Sequence, residues 1–305
     1  MTTSAVLLQQ GKDLMSGLQF QPAQKLFEKV LESEPQSVDA RVWLGRLALI
    51  RNQKDQGVQL LDEALKLQPG NAEALALKGV SKMQAEDWKG AVDLLNQARS
   101  SDPNLPMIYY NLAHSYRKLG NLMEAEAAAR KAIELDNKDF QAHSELSYIL
   151  GQTGRVKEGI DEMLKAIQIN PLFLKGYLVL GTLFKSAGKN DAAIDLYRQA
   201  LRHVPTALPI FEELCDLYFA KGDYGSAYRD AVVLITRRND FRDYLRLGSY
   251  ALGIKEQAKA EKAFHKAKSL NYESAAAGQY LKKILAADNN LYTQADNLRK
   301  AIEAE

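Results

Sequence analysis

The sequence predicts an all-α solenoid of stacked helical hairpins, and three periodic features carry that prediction. Small residues recur every 34 positions at Gly11, Gly45, Gly79, Ala113, Ser147, Gly181 and Cys215, with Gly248 following after 33. A second small series runs twelve residues behind, through Ala23, Gly57, Ala91, Ala125, Gly159, Ala193, Ala227 and Ala260. Between them, apolar residues step by three and four, the spacing of one helix face. A fixed period of this length marks a supersecondary unit that cannot bury its apolar side alone, so neighbouring units stack.

The phase follows from the punctuation. Units starting at 4, 38, 72, 106, 140, 174, 208 and 241 place Pro35, Pro69, Pro103, Pro171 and Pro205 at their thirty-second position, with Asn137, Asn239 and Tyr272 in the other three. Proline there ends one hairpin before the next begins. Units four to seven carry Gly120, Gly154, Gly188 and Gly222 at position fifteen, where a residue free to take positive φ closes the first helix. Units one, two, three and eight lack it, so less regular turns are expected there. Larger apolar residues fill the hairpins: Leu112, Leu146, Leu180, Leu214 and Leu247 at position seven, and Phe27, Leu61, Leu95, Met163, Tyr197 and Phe264 at twenty-four. Residues 275–287 and 289–303 read as one further, degenerate hairpin with Asp288 to Asn290 as turn and cap. Its expected role is to cover the open apolar side of the eighth unit; a helix folding into the groove as an internal ligand is the alternative.

Leu-Gly at positions seven and eight, Ala at twenty, an aromatic at twenty-four and Pro at thirty-two resemble the tetratricopeptide repeat. The resemblance covers residues 4–274. It implies a right-handed superhelix of eight hairpins plus a capping pair, with the first helix of each hairpin lining a concave groove. It also implies protein binding, without naming a partner, because the motif residues are those that pack hairpin on hairpin.

Composition narrows the function. Forty basic and 38 acidic residues leave a net charge of +2, with no basic stripe of the kind nucleic acid requires. No stretch approaches the roughly 18 uninterrupted apolar residues of a membrane span. Met1-Thr-Thr-Ser leads straight into the first amphipathic helix, so a cytoplasmic protein is expected unless a signal has been trimmed. Cys215 stands where the other units have Gly, Ala or Ser, which reads as a small buried side chain and not a nucleophile. His143, His203 and His265 occupy unrelated unit positions without metal-ligand spacing, so neither a metal nor another cofactor is expected. Ala187-Gly188-Lys189-Asn190 lacks the first glycine and the hydroxyl residue of a phosphate loop. The expectation is a binding module, not an enzyme.

The groove implied by the resemblance changes along its length. Its first three units offer Leu8, Lys12, Val42, Trp43, Arg46, Leu77 and Val80, an apolar end in which Trp43 reads as an exposed anchor ringed by Leu8, Val42 and Leu77. The other reading turns Trp43 into the core. Units four and five offer Tyr110, Asn111, His114, Arg117, Glu145 and Tyr148, of which Tyr110, Asn111, His114 and Tyr148 suit either hydrogen-bonding a peptide backbone or a plain solvated wall. Glu212, Glu213 and Asp216 of unit seven face Arg242 and Arg246 of unit eight, and mutual pairing is expected. Of the carboxylate clamp found in similar arrays, only Arg242 and Arg246 match, against Leu178, Thr182 and Glu213; of the asparagine ladder, only Asn111 matches. The sequence thus predicts a scaffold or adaptor that binds a peptide or amphipathic helix of a partner protein, chiefly over units one to three. The alternatives are a multi-protein platform of a bacterial secretion, pilus or polarity system, a self-associating homo-oligomer, and the regulatory subunit of an enzyme.

Overall fold

A computed structural model describes residues 3–270 and 272–305; Met1 and Thr2, at the start of the N-terminal reading, lie outside them. Among the described residues there are 18 α-helices and no strand. The chain gathers into two compact units, the first ending at Asn170 and the second beginning at Pro171.

The first unit contains five hairpins: α1 (Thr3–Ser16) with α2 (Phe20–Ser33), α3 (Val38–Ile50) with α4 (Lys54–Leu67), α5 (Ala72–Gln84) with α6 (Trp88–Ser101), α7 (Pro106–Leu119) with α8 (Leu122–Leu135), and α9 (Phe140–Gln152) with α10 (Val156–Ile169). Besides packing within hairpins, α3 touches α5, α5 touches α7 and α7 touches α9, so the first helices form the crowded inner layer. The second unit contains α11 (Leu174–Ser186) with α12 (Asn190–His203), α13 (Leu208–Ala220) with α14 (Tyr224–Arg237), and α15 (Phe241–Gly253) with α16 (Gln257–Lys268), followed by α17 (Ser274–Ile284) and α18 (Asn289–Ala304). Helix starts are fixed by short polar caps: the side chains of Ser37, Asn71, Asp87, Asp139, Asp223 and Asp288 each accept a backbone N–H of the following turn. Pro106 stands in the first turn of α7, where its missing N–H costs nothing.

Within each hairpin the small residue at position eight faces the residue sixteen places on. A Cβ added to Gly45 would lie 2.9 Å from Leu61 Cγ, one added to Gly79 2.9 Å from Leu95 Cγ, and one added to Gly248 2.6 Å from the Phe264 ring. Gly11 and Gly181 stand against Phe27 and Tyr197 in the same way. The two small series therefore mark where helices of one hairpin come close enough for a large side chain to fill the space a Cβ would take.

The hairpin turns depart from expectation. Gly120, Gly154, Gly188 and Gly222 take positive φ, as their positions require, but Leu18 (φ 57°), Asn52 (61°), Glu86 (58°) and Lys255 (62°) adopt the same left-handed backbone in the units without glycine. Those turns are as regular as the others. The reason is that all eight are closed by one backbone hydrogen bond, from the residue after the left-handed position to the carbonyl five residues earlier, as in Gln19 N–H to Leu14 O (2.8 Å), Gln53 N–H to Ala48 O (2.8 Å) and Asn121 N–H to Tyr116 O (2.9 Å). The bond geometry overrides the residue preference and leaves strain behind. Leu18 is 74 % exposed, so its side chain contributes little packing. Leu18→Gly is therefore expected to stabilise the protein by about 0.5–1 kcal/mol, measured by urea unfolding.

The last two helices also differ from a regular ninth hairpin. α18 packs on both α15 and α16 and buries Leu291, Ala295 and Ile302 beside Phe264 and Ala267, so it is the helix that covers the open side of the eighth hairpin. α17 packs on α15 and α18, with Ala277, Leu281 and Leu285 fully buried in the same core. Arg299 ties the pair together by bonding Asp296, Glu303 and Ser274, and Asp288 at the turn accepts the Tyr224 hydroxyl at 2.6 Å.

Candidate partner-binding surface

Trp43 lies on α3, six residues into the second hairpin, and is neither free nor buried. Its indole stacks on the fully buried Phe27 ring at 5.8 Å and 20°, while Arg46, one turn further along α3, holds its guanidinium 4.7 Å from the indole centroid. Lys12 of α1 brings its ammonium to 5.8 Å of the same ring. Arg46 is itself held by Glu73 of α5 at 2.5 Å. The outcome lies between the two sequence readings: a half-buried aromatic fixed by stacking below and cations around it.

The ring of apolar residues expected around it is corrected. Val42 and Leu77 are 1 % and 4 % exposed and join Leu49, Leu61, Ala64 and Ala74 in a separate core between the second and third hairpins. They face that core because adjacent first helices touch along this side. Leu8 does pack with the Phe27 and Trp43 cluster and stays half-buried, as do Lys12 and Val80. The partly accessible surface is thus Leu8, Lys12, Trp43, Arg46 and Val80.

A second cluster lies on α7 and α9. His114 Nδ1 is 3.0 Å from Glu145 Oε2, and Arg117 Nε donates to Glu145 Oε1. The Arg117 guanidinium also lies 5.5 Å from the Tyr148 ring, and His114 packs on Trp88 of α6 at 5.7 Å. Glu145 is only 4 % exposed. Burial opposes its charge, but the bonds from His114 and Arg117 outweigh burial and hold its carboxyl below the ordinary range. Burial, aided by Glu145, pushes the neighbouring Tyr110 phenol up to about 12. Asn111 is buried at 6 % exposure and does not present itself for a peptide. Glu145 organises this cluster; its position puts it on the expected groove face, but its pairing with His114 and Arg117 joins α7 to α9 and carries no periodic signal.

In the second unit the expected pairing between acids and arginines is partial. Arg246 Nη2 meets Asp216 Oδ1 at 3.2 Å, but Glu212 pairs with Arg238, Glu213 with Lys185, and Arg242 with Asp240. Cys215 is fully buried, with its Sγ 3.5 Å from the Ala227 carbonyl, and burial pushes its thiol up. Among the described residues no His, Cys, Asp and Glu side chains converge on a metal position, and no helix is long and apolar enough to cross a membrane.

These features define an all-α helical-repeat protein. Tetratricopeptide repeat family models match residues 7–80, 106–139 and 178–240, together more than half of the chain. The chain belongs to the tetratricopeptide repeat family, whose members are generally protein-interaction scaffolds. It is 31 % identical over 121 residues to the Hsp70-Hsp90 organizing protein 1 of Glycine max, a match that takes in 36 % of this chain and 21 % of that protein. The chain spans 20–28 % of the length of three further curated relatives. Among solved structures it resembles a thermophilic TPR protein of Thermus thermophilus (TM-score 0.51, 19 % identity, 59 % of this chain and 98 % of that one). It also resembles a tetratricopeptide repeat protein of Parabacteroides merdae (TM-score 0.50, 19 % identity, 82 % and 99 %).

Proposed function

We propose that the chain is a non-enzymatic protein-interaction scaffold that holds a segment of a partner protein on α1, α3 and α5, with Trp43 at the centre of the contact. The observation that carries this reading is the half-exposed indole fixed on Phe27 between Arg46 and Lys12. A large aromatic held rigid but not covered loses little entropy on binding and is the residue type that dominates interface energies. The cations around it favour a segment with acidic side chains beside its apolar ones. An amphipathic helix laid across Leu8, Trp43 and Val80 meets both demands. Tyr110, His114 and Tyr148 form a second, polar contact further along the inner helices. The relative in Glycine max, named as an organizer of Hsp70 and Hsp90, is consistent with a role in bringing proteins together.

Because Trp43 also shields Phe27, Trp43→Ala is expected to lower stability by about 2 kcal/mol as well as weaken binding. Lys12→Glu separates the two effects, since this half-exposed side chain supports no core. Partners are recovered by affinity capture, and the responsible segment is titrated calorimetrically into both proteins. Lys12→Glu should leave melting unchanged and weaken binding at least tenfold, whereas charge reversal at Glu212 and Glu213 should alter it much less. Unchanged affinity with Lys12→Glu, or equal losses at both places, overturns the assignment of the contact to the first three hairpins.

A further inference from the structure

The second unit holds a cavity of about 640 Å³ between α13, α15 and α17, and its charges are segregated. Every acid that lines it, Glu212, Glu213 and Asp216, comes from α13; the cations come from the end of α14, from α15 and from α17. The end of α17 and the turn after it add Ile284, Ala286 and Ala287 to the lining.

At its centre the charges are poorly compensated. Arg246 has only 6 % of its side chain exposed, yet among the described residues its Nε and Nη1 have no hydrogen-bond partner and its one ion pair is the 3.2 Å contact to Asp216. A guanidinium carries five donors, and leaving most of them unsatisfied away from water is costly. Asp216 is about half exposed at its outer edge, but burial in the cavity still pushes its carboxyl up despite Arg246. Lys283 of α17 stands exposed at the rim.

We infer that this cavity is a binding site for a zwitterion, a ligand carrying a carboxylate and, a few bonds away, a cationic nitrogen. The argument is one of charge balance. A simple anion that took Arg246 would strand Asp216, and a simple cation that took Asp216 would strand buried Arg246, which is the more expensive outcome. A ligand with both charges inserts between them and turns one ion pair into two. Its carboxylate lies against Arg246 with Lys283 reaching in from the rim, its cation lies against Asp216 and Glu213, and its aliphatic part rests on Ile284 and Phe219. The cavity volume suits an amino acid with a long basic side chain or the last residues of a peptide. The chemistry is the same for both, and the experiment distinguishes them. This site is independent of the Trp43 surface.

The test is calorimetry on the full chain at constant ionic strength, using free L-lysine and the tripeptide Gly-Gly-Lys as probes and sodium acetate and methylammonium chloride as single-charge controls. At least one zwitterion should bind one to one and at least tenfold more tightly than either control. Lysine alone binding points to a free metabolite, and the tripeptide alone to a chain end; either supports the inference. Asp216→Asn and Arg246→Gln should each weaken binding at least tenfold. Should Arg246→Gln fail to fold, the exposed Lys283→Ala, expected to melt normally and weaken binding about threefold, decides together with Asp216→Asn. Acetate binding as tightly as the zwitterions, no measurable binding of either zwitterion, or indifference to both Asp216→Asn and Lys283→Ala overturns the inference.

Discussion

Gly181→Leu is expected to destabilise the second unit by about 3 kcal/mol, the upper end of the usual cost of overpacking. Even a Cβ at Gly181 runs into the Tyr197 ring, which is fully buried between α11 and α12 and has no free direction in which to retreat. Gly79→Leu should cost less, about 1–2 kcal/mol, because Leu95 is an aliphatic neighbour that can change rotamer. The same logic explains where the pattern lapses. Where position eight holds Ala113 or Cys215, the residue sixteen places on is Ala129 or Ala231, so volume is conserved across the pair. Ala129→Phe alone should therefore be strongly destabilising, and Ala113→Gly should restore part of the loss. Urea unfolding of both single variants and the double variant gives the coupling energy; values that simply add would show that the two positions do not share a space.

Glu145→Gln is expected to cost about 3 kcal/mol, since it removes the carboxylate on which both His114 and Arg117 converge in a site only 4 % exposed. Breaking one partner out of a buried ionic cluster leaves the remaining charge uncompensated, which outweighs the value of the pair itself. The pH dependence has a defined sign. Folding holds the Glu145 carboxyl below its ordinary value, so the unfolded chain binds the proton more readily than the folded one. The stabilisation is fully present above the unfolded carboxylate value of about 4.3 and is lost as the pH falls through the depressed folded value. Wild type and Glu145→Gln should thus differ most at neutral pH and converge in acid. Melting curves across that range test this, and a constant difference would assign the loss to packing alone.

Sequence alone was enough for the hairpins and their family, because what specifies a hairpin is local and repeated. Each close approach needs a small residue, and eight registrations of it, with proline ending five of the hairpins, leave one phase. The candidate surface was less legible. Trp43 could be singled out, since a large aromatic stands where the pattern does not ask for one, but its stacking on Phe27 joins residues of two hairpins and appears in no local motif. Val42 and Leu77 look like groove residues by position and are core residues by contact, because how closely neighbouring first helices approach depends on the side chains of both.

What the sequence by itself determined is therefore the periodic part: the helices, their pairing into hairpins and the small residues at each crossing, all set by interactions within one repeat. Only the tertiary structure decided the rest. It showed that Leu18, Asn52, Glu86 and Lys255 accept a left-handed backbone, because one hydrogen bond across the turn outweighs their preference. It also gathered His114 and Arg117 around Glu145, and left Arg246 buried with a single ion-pair partner among the described residues. Each of these depends on which residues from different helices meet. A repeat dictates that neighbours pack; the few side chains that break its pattern dictate what the packed surface can hold.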